Sequence, residues 1–355
     1  MDILIVKLSA IGDVIHSLPF LEVLKHHFPQ AHIDWVVEAP ADRIVEGHPA
    51  IRRVLVSPRK SLPHRLLKER DRRALTRDVR RFLKALRARR YDLVIDLQGL
   101  FKSGILTGLS KGKRKIGMND SREGAGLFLN EPAVRVDRDQ HAIDRYLETA
   151  RYLGCPSLKW EGRIPVSDRD RQHIDLKLLQ HGIDTRCLIA VNPVAKWATK
   201  LWAPERFAAL ADKITHEWAC QVIFTGSDAD RKVMDRITAA AKTKIHNFAG
   251  ETGLKELAAL YERCRLLIST DTGPMHLAAA MGCPVVALFG PTAPWRTGPY
   301  GQGHRIVRAP IVCSPCFRKH CSHMTCMREI TPDQVFTAVK AVFQRSETGG
   351  GMSGV

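Results

Sequence analysis

The chain has 355 residues, 45% hydrophobic and 26% charged, an ordinary globular composition with length enough for two cores that need no staples. No apolar run approaches the ~20 residues that cross a bilayer, which excludes a helical membrane protein. Lys and Arg number 55 against 37 acids, a net charge of +18, and such an excess points to nucleic acid, an anionic membrane surface or an anionic substrate.

The chain opens directly on a strand, Ile3–Leu8, with no basic leader or cleavage site, so a cytosolic protein is expected. The first turn, Lys7-Leu-Ser-Ala-Ile-Gly12-Asp13, lacks the GxGxxG spacing of a dinucleotide site, which disfavours a dehydrogenase. Asp13 stands at or near the start of a helix over Asp13–Phe28, either as its cap or as a carboxylate placed to take a proton. Short strands follow at Ile33–Val37 and Val54–Val56. Lys68–Arg90 is then a long amphipathic helix with Val79, Phe82, Leu83 and Leu86 inside. From Arg52 to Arg90 there are 16 Lys/Arg and three acids, net +13, too few acids for the interleaved pairing of an ordinary solvated face. Strand Tyr91–Leu97, helix Phe101–Leu109 and helix His141–Leu153 complete the first half.

A connecting region near residues 154–184 carries Pro156, Pro165 and a charged helix, Asp168–His181. A second alternating series follows: strand Leu188–Asn192, helix Pro204–Glu217, strand Gln221–Thr225, helices Asp228–Ala241 and Leu254–Glu262, and strands Arg265–Ser269 and Val285–Phe289. Alternation of this kind implies doubly wound parallel sheets. The expected fold is α/β, with two Rossmann-like domains facing a cleft at 1–165 and 166–331. A C-terminal helix at 332–345 and a disordered glycine-rich tail at 346–355 would follow.

The densest signal lies at Ser269-Thr-Asp-Thr-Gly-Pro-Met-His276, a strand end, a polar turn and a helix start. Asp271 and Thr272 are capping types, Pro274 suits the first helical position, and Gly282 with Pro284 ends the helix. Free backbone N–H groups at such a point hold phosphates. Lys200, in the turn Asn192–Trp202, is a plausible phosphate partner or a solvated surface lysine. Asp230 sits in the next turn, and His276 is a diphosphate donor or a buried structural histidine.

Nine cysteines, an odd number, fit a reducing compartment better than a disulfide framework. Cys313, Cys316, Cys321 and Cys326 are dense enough to suggest a structural zinc site, with packed free thiols or a redox-sensitive cluster as alternatives.

Two motifs carry a family resemblance: the N-terminal K-x-S-x-I-G-D-V-x-H-x-L-P run, Lys7 to Pro19, and Asp271-Thr-Gly-x-x-His276 ending in Phe289-Gly-Pro-Thr292. Both resemble the bacterial heptosyltransferase family of glycosyltransferases. Further similarity lies at Ile33–Glu38, Asp96–Leu100 with Lys102-Ser103, and His141–Arg145. The resemblance covers nearly the whole chain and implies a GT-B fold whose final helix crosses back to the first domain. It implies inverting, metal-independent transfer of L-glycero-D-manno-heptose from ADP-heptose to Kdo of Kdo2-lipid A, with no cofactor. Addition of the second heptose, or another nucleotide-sugar transfer on the same fold, is the alternative. Asp13 is the implied base and Lys200 the donor-phosphate lysine. Asp230 is placed on the adenosine portion and Asp271 on sugar hydroxyls. The N–H groups of Thr272 and Gly273, with His276, are placed on the diphosphate. Arg59, Lys60 and Arg65 would bind the anionic glycolipid and lean on the inner face of the cytoplasmic membrane, making the protein peripheral there. A nucleic-acid-binding protein is the remote reading: the chain shows no helix-turn-helix or RNA-binding signature and only 6% aromatics, so no nucleic-acid partner is expected.

Overall fold

The structure is a computed structural model describing residues 1–58 and 69–348, apart from the side chains of residues 69–72 and 345–348. Arg59, Lys60 and Arg65 lie outside the described residues, as do residues 349–355. The chain forms two compact units, Met1–Pro165 and a second that starts at Val166.

In the first unit the strands are β1 (Asp2–Val6), β2 (His32–Glu38), β3 (Ile51–Ser57), β4 (Arg90–Asp96) and β5 (Lys111–Gly117). They pair in parallel in the order β3-β2-β1-β4-β5. The helices are α1 (Ile11–His16), α2 (Leu18–His27), α3 (Asp42–Val45), α4 (Glu69–Leu86), α5 (Phe101–Leu109) and α6 (Ala142–Tyr152). Leu4, Val6, Val36, Phe82, Leu86 and Val94 pack together where α4 lies on the sheet. The expected single helix over Asp13–Phe28 is two, because Pro19 has no N–H to continue the first and instead fits the opening turn of the second.

The second unit has β6 (Leu188–Asn192), β7 (Gln221–Phe224), β8 (Ile245–Asn247), β9 (Leu266–Thr270), β10 (Val285–Leu288) and β11 (Arg305–Val307). They form a parallel sheet in the order β11-β10-β9-β6-β7-β8. Its helices are α7 (Asp168–Gln180), α8 (Pro204–Trp218), α9 (Arg231–Ala240), α10 (Leu254–Arg263), α11 (Gly273–Ala280), α12 (Pro294–Thr297), α13 (Thr325–Arg328) and α14 (Pro332–Thr348). The C-terminal helix, expected to end at Arg345, runs to Thr348, and its Val335, Val339, Val342 and Phe343 belong to the second unit's core. Phe343 stacks on Trp218 of α8 at 4.5 Å between centroids.

Cys187 and Cys220 form a disulfide between the starts of β6 and β7, while the other seven cysteines are free, against the expectation of a reducing compartment without a disulfide framework. Parallel neighbours bring the two positions within 4.8 Å at Cα, although 33 residues separate them in the chain. Among the described residues, no helix is long and apolar enough to cross a membrane.

Candidate active site

In a doubly wound sheet, ligands gather where the strand order reverses, at the carboxyl ends of the strands. In the first unit that point lies between β1 and β4. A cavity of about 230 Å3 opens there, lined by Lys7, Asp13, Gln98, Asp120, Arg122, Arg145 and Tyr146 among others.

Asp13 is the third residue of α1, not its cap; Ala10 holds the cap position. The half-buried Asp13 carboxylate accepts the Ala10 N–H at 2.9 Å through Oδ2, leaving the other oxygen uncommitted among the described residues. Beside it Lys7, 3% exposed, donates to the Leu97 carbonyl at 2.9 Å and the Tyr146 hydroxyl at 2.6 Å. Burial pulls the Lys7 ammonium down, but Tyr146, Asp13 and Asp96 together hold it above the usual lysine value. It is therefore a fixed cation in the floor of the cavity. Burial pushes the Asp96 carboxyl up, against the Gly99 and Gln98 N–H groups, the Ser103 hydroxyl and Lys7. Arg145 pairs with Asp120 at 2.5 Å, and its buried Nε has no protein partner. Lys102 donates to Ser9 Oγ at 2.8 Å and lies 3.6 Å from the fully buried Glu38. Sequence reasoning assigned Asp13 but gave no role to Lys7, Asp96, Asp120, Arg122, Arg145 or Tyr146. The available signal was polar residues at the carboxyl ends of buried strands, Lys7 just after β1 and Asp96 as the last residue of β4.

The second unit reverses between β6 and β9. The turn after β6 carries Lys200, and the turn after β9 carries Asp271, so the sheet brings together two residues 71 apart in sequence. Lys200 Nζ pairs with Asp271 Oδ2 at 2.6 Å and donates to its carbonyl at 3.2 Å. The Thr292 hydroxyl donates to the same carboxylate oxygen at 2.6 Å. The Lys200 ammonium also stands 4.7 Å from the centre of the Trp197 ring. Asp271 thus carries its own counter-ion and does not confront an anion with a bare charge.

Thr272 caps α11 with an extended backbone and no side-chain hydrogen bond, Gly273 opens the helix, and Pro274 is second rather than first. Pro274 has no N–H and the Met275 N–H goes to the Thr272 carbonyl at 3.1 Å, so the N–H groups left to face an anion here are those of Thr272 and Gly273. His276 is buried one turn further in. Asp230 is half-buried, and its carboxylate accepts the Ser227 N–H at 2.8 Å and the Ser227 hydroxyl, bracing the turn before α9.

Cys313, Cys316, Cys321 and Cys326 line one cavity of about 300 Å3 with Thr199, Pro291 and His323. Among the described residues, no group of three or more His, Cys, Asp or Glu is arranged to hold a metal. The four thiols share the cavity and differ in exposure. Cys326 is buried against Gly290, Cys321 accepts the Met324 N–H at 3.4 Å, and Cys313 is exposed.

Comparison with known proteins places the chain in a family. Residues 79–326 match Glycosyltransferase family 9 (heptosyltransferase). The lipopolysaccharide core heptosyltransferase OpsX of Haemophilus influenzae is 30% identical over 308 residues, covering 85% of this chain and 83% of that protein. Lipopolysaccharide heptosyltransferase 1 of Pseudomonas aeruginosa is 30% identical over 381 residues, covering 98% and 99%. The crystal structure of a glycosyl transferase family 9 protein from Veillonella parvula superposes with a TM-score of 0.83 at 26% identity, covering 97% of each chain. The Escherichia coli heptosyltransferase WaaC with ADP superposes at 0.75 and 27% identity, covering 96% of this chain and all of that one. With two Rossmann-like parallel sheets of the GT-B class, the chain belongs to glycosyltransferase family 9, the heptosyltransferase family, and is a glycosyltransferase.

Proposed function

We propose that this protein transfers L-glycero-D-manno-heptose from ADP-heptose to Kdo of the lipopolysaccharide inner core, with inversion and without a metal. Asp13 carries the reading: a steadied, half-buried carboxylate with one uncommitted oxygen, at the switch point of the first sheet. It takes the proton of the acceptor hydroxyl as that oxygen attacks the anomeric carbon of the donor. Lys7 and the Arg145–Asp120 pair present fixed charge to an acceptor rich in carboxylates and phosphates.

As the sugar–phosphate bond breaks, ADP gains negative charge. Lys200 and the N–H groups at the head of α11 receive it, the role a divalent cation fills in other transferases. Because these donors are already held by Asp271, Thr292 and the helix, little reorganisation accompanies the step. The kinship with lipopolysaccharide heptosyltransferases over most of the chain supports the donor and the acceptor class. An acceptor in the cytoplasmic leaflet implies peripheral attachment to the inner face of that membrane, with the basic run from Arg52 to Arg90 as the contact.

The test is a mass-spectrometric transfer assay with ADP-heptose, run with Kdo2-lipid A and with its mono-heptosylated form, each with and without EDTA. A heptose gain on Kdo2-lipid A that survives EDTA is expected. A gain only on the mono-heptosylated acceptor reassigns the chain to the second position. No gain on either acceptor rejects the substrate assignment.

A further inference from the structure

The four C-terminal cysteines have no part in the proposed transfer, yet their loop is built into the walls of the donor half-site. The Cys316 and Phe317 N–H groups both donate to the Pro291 carbonyl, at 3.0 and 2.8 Å. The Ser314 hydroxyl donates to the Gly290 carbonyl at 2.6 Å. The next residue, Thr292, holds the Asp271 carboxylate. On the other side, the Arg318 carbonyl accepts the Thr199 hydroxyl at 2.8 Å, and Thr199 precedes Lys200. Lys319 stacks its ammonium 5.4 Å from the ring of Trp197, which Lys200 also covers. Two short paths therefore lead from the thiol cavity to the Lys200–Asp271 pair, one through Pro291–Thr292 and one through Thr199–Lys200.

We propose that the cavity lined by Cys313, Cys316, Cys321 and Cys326 is a thiol–disulfide exchange site for a low-molecular-weight disulfide, whose closure into a protein disulfide weakens nucleotide binding at the Lys200–Asp271 site. Cys321 is the entry point. It is half-buried at the cavity wall, and the Met324 N–H points at its sulfur, an arrangement that favours thiolate sulfur. The Cys321 thiolate attacks one sulfur of oxidised glutathione, the glutathione S–S bond breaks, and one glutathione thiolate leaves. A second cluster thiol gives its proton to water, attacks the Cys321 sulfur and expels the second glutathione. Two protein thiols are oxidised and one glutathione disulfide is reduced to two thiols.

The four thiols are free in the structure, and a disulfide holds its two sulfurs about 2.05 Å apart, so closing a bond between two of them moves the loop. The hydrogen bonds to Pro291 and Thr199 lie on that loop, and the geometry of Thr292 and Lys200 moves with them.

The effect on nucleotide binding rests on the donor-site reading; the chemistry of the thiols does not. The full-length protein is incubated with oxidised glutathione and mapped by non-reducing peptide mass spectrometry, with the Cys187–Cys220 bond followed in the same map. ADP affinity is measured by calorimetry before oxidation, after it and after re-reduction. A disulfide joining Cys321 to another cluster cysteine is expected, with a severalfold rise in the ADP dissociation constant that re-reduction reverses. Cys321→Ser should bind ADP like the reduced parent and lose the response, and Cys313→Ser serves as a second probe should the first fold poorly.

The proposal is overturned by absence of any Cys321 disulfide, by a disulfide that leaves ADP affinity unchanged, or by an undiminished response in Cys321→Ser. One equivalent of zinc in the untreated protein, shielding all four thiols from alkylation, also overturns it. Failure of the reduced protein to bind ADP at all would instead reject the donor-site reading, and the peptide map would still decide the thiol chemistry.

Discussion

Replacing Lys200 with Met tests the centre of the donor half-site because it removes the cation while keeping the stem. The pair is largely withdrawn from water: the Lys200 side chain is 16% exposed and that of Asp271 is 7%. Breaking one partner of a buried pair costs about 3–5 kcal/mol, since the remaining charge stays buried. Thr292 continues to donate to Asp271, and a hydrogen bond to a charged group contributes about 1.5–3 kcal/mol. Lys200→Met should therefore fall at the lower end, near 3 kcal/mol. Asp271→Asn should cost less, roughly 1–2 kcal/mol, because the lysine is flexible, partly wet and keeps the Asp271 carbonyl at 3.2 Å. In the double variant no lone charge remains, so the two costs should fall short of additivity by about 2 kcal/mol.

Urea unfolding followed by tryptophan fluorescence reads this, with Trp197 directly under the ammonium as a local reporter. Calorimetry gives a second signature of opposite sign for the two single variants. ADP binding should weaken in Lys200→Met and tighten in Asp271→Asn, where the lysine is released and a negative charge removed. Strictly additive stability costs, or weaker ADP binding in Asp271→Asn, would refute the pairing as the organising contact of the site.

Asp13→Asn should lower turnover by about 10²–10⁴ while ADP affinity holds, because an amide oxygen can still accept the Ala10 N–H but cannot take a proton; parallel loss of both would mark Asp13 as structural. Burial pushes the Asp34 carboxyl up, but Arg52, Arg53 and the Tyr91 hydroxyl overrule it and hold it below the usual aspartate value. Stability from this group is thus fully present above the unfolded value near pH 3.9 and is lost as pH falls through the lower folded value. A urea-midpoint series from pH 6 to pH 2.5 should show that loss, and Asp34→Asn should flatten it. Asp34→Ala should cost about 3 kcal/mol at pH 7, limited because both arginines can turn to water. Reducing the Cys187–Cys220 bond, which closes a loop of 33 residues, should lower stability by roughly 3–4 kcal/mol. A serine pair at those positions should show the same deficit and no further response to reductant.

Apart from the half-buried edge strand β3, read from Val54–Val56, the strands legible in the sequence were the well-buried ones. Leu188–Asn192 reads as continuous apolar chain and is a central strand. Phe101–Leu109 was equally legible as a helix, bounded as it is by strand and turn residues. The strands that escaped notice, β5, β8 and β11, all lie at sheet edges, where one flank has no strand neighbour and the apolar signal fades. β5 reads Lys-Gly-Lys-Arg-Lys-Ile-Gly, and only Ile116 and Gly117 are buried. The site divides in the same way. Asp13, Asp271 and Thr272 declare themselves by local turn chemistry, and a lysine in a turn after a strand is a fair candidate for phosphate. The contact between Lys7 and Tyr146 spans 139 residues, and nothing local to either residue announces it. The same holds for Arg145 with Asp120 and for Thr292 with Asp271, because strand order and not sequence neighbourhood makes those pairs.

The outer flank of β5 has a consequence for solution behaviour. An uncovered strand edge is a template on which a second molecule can pair. Here that flank is capped: the Asn130 side chain accepts the Lys115 N–H and donates to the Lys113 carbonyl, and the Asn130 and Val134 N–H groups donate to the Lys115 and Gly117 carbonyls. Lys113 and Arg114 pair with Asp92 and Glu131 and remain largely in water. Arg52 and Arg53 on the opposite border, β3, are turned to Asp34 and Asp2. Exchanging Asn130 for alanine would free the Lys115 N–H and the Lys113 carbonyl and turn that rim into a seed for concentration-dependent association.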